Sequence, residues 1–475
     1  MSGYAYFLGI DMGTTGIRCL LSDEKGNIVL SSEEDIHESF VASSDEKVSE
    51  QNPSVWKKSL NSALDTVLSR INNYKLMAIT VDSTSGTILP IDRNYEPIFN
   101  ALMHNDMRAY KESEFINSEL GLSTKPSFAL PKILWFKNNR PDIFERAYKF
   151  VHAADYLVGL ISGEYGVSDF SNSVKTCYDL YNMKWPDEIE SKLGIPLDKL
   201  PKIVKTGKVI AELDEDIRKK YGIKKSVKIV AGATDSTTGF YSSGAKDIGD
   251  WNTTLGTVLG LRGIFDRFIP DKEGLLYTHR HADGYWLPGG ASNTGGEVLR
   301  LFFGNSVKEY DEKISELPPT GGIIYPLART GEKLPFFNMK AKGFIKLNSC
   351  KPDIFFKAIL EGLSYVEKMI YKKIEGLGYR VNDTIYAVGG GAYSLPWLKI
   401  RANIMGKTMA RAKIVETAFG SCIIAAGGTY YKNVTEAVNN MVNMDIKVEP
   451  EDSLTNKYRN GYEKFVKELK ERDYI

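Results

Sequence analysis

The chain has 475 residues, with 61 basic against 60 acidic side chains and a net charge of +1. At roughly 150 residues per domain it holds two or three domains, and its balanced charge excludes a nucleic-acid or anionic-membrane field and leaves a small molecule as the expected partner. No signal-peptide pattern opens the sequence, the apolar stretches are strand-length, and Cys19, Cys177, Cys350 and Cys422 form no C-x-x-C pair, so a cytoplasmic protein with cysteines as small core residues is expected.

The segment "FLGIDMGTTGIRCLL" (7–21) reads as two apolar strands around a Gly-Thr-Thr-Gly turn, with Asp11 ending the first strand. "VWKKSLNSALDTVLSRI" repeats apolar residues at helical spacing, and "LMAITVDSTSGTILPID" reads as two buried strands joined by a polar turn. A helical middle follows, "PKILWFKNNRPDIFERA" and "AADYLVGLISG", punctuated by Pro141 and Gly163. The opening pattern then returns: "VKIVAGATDSTTGFYSSGA" is strand, turn and small-residue helix, and "WNTTLGTVLGLRGI" is a second Gly-Thr hairpin. "FFKAILEGLSYVEKMIYKKIEGLG" is a long amphipathic helix, and "DTIYAVGGGAYSLPWLKIRANIMG" is strand, Gly-rich turn and helix. The class is α/β, and two halves with matching hairpins suggest related domains, 1–245 and 246–475, facing a cleft.

A Gly/Thr hairpin presents backbone N–H groups and hydroxyls that suit phosphate oxygens. Asp11 beside it repels phosphate directly but can hold a Mg²⁺ that bridges nucleotide phosphates. The plain structural alternative makes Asp11 a turn cap. Two such hairpins and the "VGGGAYS" loop together look like an ATP clamp. Two decoys are set aside. "NIMGKT" ends like a phosphate-binding loop, but Arg401 stands where that motif needs its first glycine, so Gly406 reads as a helix C-cap. "THRH" puts His279 and His281 on one strand face without further ligands to complete a metal set.

The blocks "GIDMGTTGIRCLL", "NALMHNDMRA" (100–109), "PKILWFKNNRPDIFERA" (131–147), "AGATDSTTG" (231–239), "WLPGGASNTGGEVLR" (286–300), "LEGLSY" (360–365) and "GGGAYSLPWLKIRANIMG" (389–406) occur in the order of the FGGY carbohydrate kinases, which the chain resembles over nearly its whole length. That resemblance implies two actin-like (ribonuclease-H-like) domains around a central cleft, and transfer of the γ-phosphoryl group of Mg-ATP to a sugar hydroxyl. It assigns Asp11, Thr14 and Thr15 to the first phosphate hairpin, with Asp11 on the metal. Gly256 and Thr257 fall on the second hairpin, and Gly389, Gly390, Gly391 and Ala392 on the adenosine loop. Asp235 matches the catalytic base, beside the substrate. The residues agree, since an acid between a buried strand and a small-residue helix sits at a helix N-terminus; the alternative is that Asp235 only caps that helix.

On the sugar side, "DSTSGT" (82–87) lacks the Met-His-Gly of common D-xylulose kinases and the Arg-Glu pair of glycerol kinases. With "ALMHNDMRA" and "TLGTVL" it is instead similar to a D-ribulose kinase branch, which makes D-ribulose the expected substrate and D-xylulose the second. Ser85 and Asp106 are then the expected readers of sugar hydroxyls, against turn-forming and surface roles, with His104 and Arg108 as lesser candidates. From a different class, actin-like chaperone ATPases and filament proteins share such a core without a sugar pocket. A homodimer is left open.

Overall fold

Phe7, Leu8, Ile10 and Met12 are buried on both sides of the first strand, the mark of a sheet covered on both faces. The computed structural model describes residues 5–71, 75–271 and 273–475. Tyr6–Met12 pairs antiparallel with Gly16–Asp23, with Asp11 opposite Arg18. The Gly-Thr-Thr turn is closed by Gly13 N–H donating to the Gly16 carbonyl at 2.9 Å.

The chain divides into two units, Met1–Ser242 with Glu416–Met441, and Ser243–Val415 with Val442–Ile475. The first is built on a six-stranded sheet in the order Val209–Glu212, Lys228–Val230, Leu76–Ser83, Tyr6–Met12, Gly16–Asp23, Ile28–Asp35. Its three middle members Lys228–Val230, Leu76–Ser83 and Tyr6–Met12 run parallel, and the others antiparallel. The second unit repeats this plan within a seven-stranded sheet. There the hairpin Trp251–Leu255 and Leu259–Gly263 is extended by Trp286–Ser292, while Thr384–Val388 and Thr408–Ala412 continue in parallel from Trp251–Leu255, and Met444–Val448 closes the edge antiparallel. The repeated hairpins thus each seed the same topology.

The two buried strands of "LMAITVDSTSGTILPID" are present in different sheets: Leu76–Ser83 lies in the main sheet, and Ile88–Ile91 joins a five-stranded sheet beside Lys149–His152. Gly86, at φ +88°, redirects the chain between them. The division at 245 assigns the whole remainder to the second half, yet Glu416–Met441 returns to the first unit. The cause is close packing: a Cβ on Gly9 would stand 1.9 Å from the Ala418 carbonyl oxygen, and one on Gly420 would stand 2.0 Å from that of Thr238. Cys350, lastly, is exposed, whereas Cys19 and Cys422 are in the core. Gly406 does cap the helix Leu395–Met405 in the left-handed conformation, and among the described residues no group of three His, Cys, Asp or Glu side chains is placed to hold a metal. No described helix is long and apolar enough to cross a membrane.

The Gly420 contact gives a stability prediction. Gly420→Ala forces a methyl against backbone and should cost about 1–3 kcal/mol in urea unfolding, whereas Gly376→Ala, with nothing within 4 Å of the new Cβ, should leave stability unchanged or raised. Equal stability of the two variants would refute the packing explanation.

Candidate active site

The parallel register sets the first cluster of groups. Asp11 pairs with Asp82 across the strands Tyr6–Met12 and Leu76–Ser83. Ser83, next to Asp82, bridges to Thr234, next to Asp235. Three carboxylates therefore gather at the carboxyl ends of three adjacent parallel strands, where open α/β sheets place their ligands. Asp82 is fully buried. Burial first, then the Asp11 charge, push its carboxyl well above the usual carboxylate range, with Asp235 adding to the effect. Ser421 Oγ donates to Asp82 Oδ2 at 2.6 Å, and Thr417 Oγ1 donates to Asp11 Oδ2 at 2.5 Å.

Arg18 lies across the hairpin from Asp11 and is ion-paired with Glu33 at 2.9 Å and Glu416 at 3.7 Å. It supplies positive charge beside a turn suited to phosphate. The turn itself is held from below: Trp56 Nε1 donates to Gln51 Oε1, and Gln51 Nε2 donates to the Thr14 carbonyl at 2.8 Å. Thr14 is half-buried and Thr15 exposed, which leaves the outer face of the turn open.

Asp235 is the first residue of the helix Asp235–Ser242 and is half-buried. The residue before the helix is Thr234, whose hydroxyl pairs with Thr237 Oγ1 at 3.1 Å and whose N–H donates to Ser171 Oγ at 2.6 Å. The capping position thus belongs to Thr234. Asp235 instead sits one residue into the helix, where the positive end of the helix dipole favours its charge.

Around Ser85 the structure collects cationic and imidazole groups. Lys175 Nζ donates to the Ser85 carbonyl at 2.8 Å. Lys132 Nζ, fully buried, donates to the carbonyls of Gly86 at 2.9 Å and Met103 at 2.5 Å, and burial pulls its ammonium down to about 7. His104 N–H donates to Thr87 Oγ1 at 3.1 Å, and its buried Nδ1 finds no protein partner. Burial, then Lys175 and Lys132, hold that imidazole neutral, down to about 4. Burial also lowers Lys175, opposed by the Asp235 charge. Ser85, His104 and Asp235 therefore all lie near the Lys175 ammonium.

Asp106 requires a correction. It is fully buried, and its oxygens accept from Ser49 N at 2.7 Å, Arg108 N at 3.1 Å, Arg108 Nε at 3.0 Å and Arg108 Nη2 at 2.7 Å. Arg108 also bonds Glu50 at 2.8 Å. A carboxylate with its acceptor sites filled has nothing left for a sugar hydroxyl, so Asp106 pins the 103–108 loop and Arg108 is its structural partner.

In the second unit a cavity of about 570 Å³ is lined by Gly256, Thr257, Gly390 and Gly391, together with Leu299, Phe356, Leu360 and Trp397. Glycine edges let a flat group approach the backbone, apolar walls suit a purine face, and the volume falls in the range of small-ligand sites. Gly389 and Ala392 are not among its lining residues: Gly389, at φ +79°, makes the turn after Thr384–Val388, and Ala392 is buried with its N–H on the Gly389 carbonyl. Arg300 donates to Thr257 Oγ1 at 2.7 Å, and Asp311 accepts from Ser394 Oγ at 2.5 Å, which makes them the charged members of the lining.

Models of the N-terminal and C-terminal domains of the FGGY family of carbohydrate kinases match residues 6–241 and 258–428. The chain is 27% identical to a xylulose kinase of Lactococcus lactis over 91% of this chain and 90% of that protein. It is 26% identical to a gluconokinase of Bacillus subtilis over 96% and 94%. Its fold is that of a xyloylose kinase from Brucella ovis, with a TM-score of 0.87 at 23% identity over 97% and 98% of the two chains. It also matches a Plasmodium falciparum glycerol kinase with ADP, at 0.85 and 18% identity over 98% of each chain.

The Asp106 correction is open to measurement. Asp106→Ala strands Arg108 and the Ser49 N–H and should cost about 2–4 kcal/mol of unfolding free energy. A variant of wild-type stability with a raised KM for sugar would return Asp106 to the substrate.

Proposed function

Because the chain belongs to the FGGY family of carbohydrate kinases, we propose that it transfers the γ-phosphoryl group of ATP to a hydroxyl of a ketopentose, with D-xylulose ahead of D-ribulose. The observation that carries the reaction is the half-buried Asp235 at the helix start, beside Asp11 and Asp82, with its Oδ1 accepting the Ser236 N–H at 2.6 Å. As the sugar oxygen forms its bond to Pγ, the hydroxyl proton passes to an Asp235 oxygen, and the bond from Pγ to the β-phosphate oxygen breaks to leave ADP. The hairpin turn at 13–15 and Arg18 orient and neutralise phosphate oxygens, and the cavity at Gly256 and Gly390 takes the nucleoside. Asp11, a hard oxygen donor, would hold a Mg²⁺, an ion that usually takes one or two carboxylates together with phosphates and water. When bound it supplies neutralising charge to the phosphates.

Two observations favour D-xylulose over the D-ribulose expectation. Relatives of Lactococcus lactis and Staphylococcus xylosus carry the name xylulose kinase. The 82–87 turn has no histidine of its own, but the backbone N–H of His104 donates to Thr87 Oγ1 at 3.1 Å, and the buried Nδ1 of its imidazole has no hydrogen-bond partner among the described residues, an atom that a sugar hydroxyl would satisfy. Ser85, in the same turn, is the second hydroxyl reader in this reading.

ADP release across D-xylulose, D-ribulose, D-gluconate and glycerol tests the substrate. The expected order puts D-xylulose first in kcat/KM, by about 5- to 150-fold over D-ribulose where one buried hydroxyl goes unpaired. A larger kcat/KM for any other member would overturn the assignment, and ADP release at full rate without sugar would support a nucleotide-switch ATPase instead. Asp235→Asn should lower kcat by ~10²–10⁴ with little change in the KM for ATP; near-normal turnover would remove Asp235 from the chemistry.

A further inference from the structure

The helix Thr417–Thr429 comes from the far end of the chain yet lies on the acid cluster. Thr417 and Ser421 are four residues apart and so share one helix face. The first donates to Asp11 at 2.5 Å, the second to the fully buried Asp82 at 2.6 Å. The placement is fixed by backbone contact: only glycine fits at Gly9 beneath Ala418, and at Gly420 beneath Thr238. Cys422 Sγ adds a bond to the Leu20 carbonyl at 3.1 Å, on the strand paired with Asp11's own. Thr417 makes no use of its hydroxyl in capping, since it lies inside the helix after Glu416.

Given the assignment of Asp11 to the metal, on which this rests, we propose that Thr417 is a positioning residue that aims the Asp11 carboxylate at the metal–phosphate site, with Ser421 holding the buried Asp82 in place behind it. Each hydroxyl occupies one oxygen of its acid, which fixes the carboxylate plane and leaves Asp11 Oδ1 as the oxygen presented to the metal. Partners of this kind change metal affinity without touching the ion.

Calorimetric titration of the full chain with ADP, with and without Mg²⁺, reads the effect without catalysis. Mg²⁺ should tighten ADP binding to the wild type. Thr417→Val should weaken binding of Mg-ADP by ~10-fold, leave metal-free ADP binding unchanged, and be rescued by Thr417→Ser, which keeps the hydroxyl. Ser421→Ala should act in the same direction. If Thr417→Val retains the full Mg²⁺ effect while Asp11→Asn abolishes it, the positioning role is overturned and Asp11 stays on the metal. If Asp11→Asn also retains it, the metal assignment fails and the positioning role with it. A lowered melting temperature in Thr417→Val with an unchanged Mg²⁺ effect marks a purely structural hydroxyl and likewise overturns the proposal.

Discussion

Three like charges at the ends of three neighbouring strands repel one another, and the structure must hold them together before it can use them. Strand register makes the convergence unavoidable, since Asp11 and Asp82 are paired positions and Ser83 bridges to Thr234 beside Asp235. Burial answers part of the repulsion by raising the Asp82 carboxyl, which favours its uncharged form. Hydroxyl donors from Thr417 and Ser421 answer the rest. Asp235, half-buried and set one residue into its helix, keeps the exposure that a proton acceptor needs.

The same constraint explains the duplicated plan. A Gly-Thr hairpin leading into parallel strands presents backbone donors at one end of a sheet, and each unit carries one such hairpin. Only the first adds the acids. The second surrounds its hairpin with glycine and apolar walls instead, at Gly256, Gly390, Leu299 and Trp397. On the proposed function, one topology serves two tasks, charged chemistry in the first unit and recognition of a flat ligand in the second.

Local patterns made the hairpins, the helix at Asp235 and the turns at Gly256 and Gly390 readable, because turn chemistry and apolar periodicity are written in a few consecutive residues. Asp82 was hidden inside an apolar run that reads only as a strand; its place one residue from the strand's end, as for Asp11, was the available signal. Nothing local announces that Thr417 meets Asp11, a contact spanning 406 residues, or that Glu416–Met441 rejoins the first unit. Asp106 looked like a free loop acid, but Arg108 two residues later folds back onto it. The 82–87 turn has no histidine, and nothing local announces that the His104 backbone N–H bonds Thr87 from outside that motif.

The central claim is that phosphate moves from nucleotide to sugar on Asp235's side of this fold. Phosphorus NMR of the purified chain with Mg-ATP and D-xylulose tests it most directly. The account predicts one new sugar phosphomonoester signal growing in step with ADP, and no such signal from the Asp235→Ala variant over the same time. Inorganic phosphate in place of the ester, or an ester formed equally fast by that variant, would contradict it.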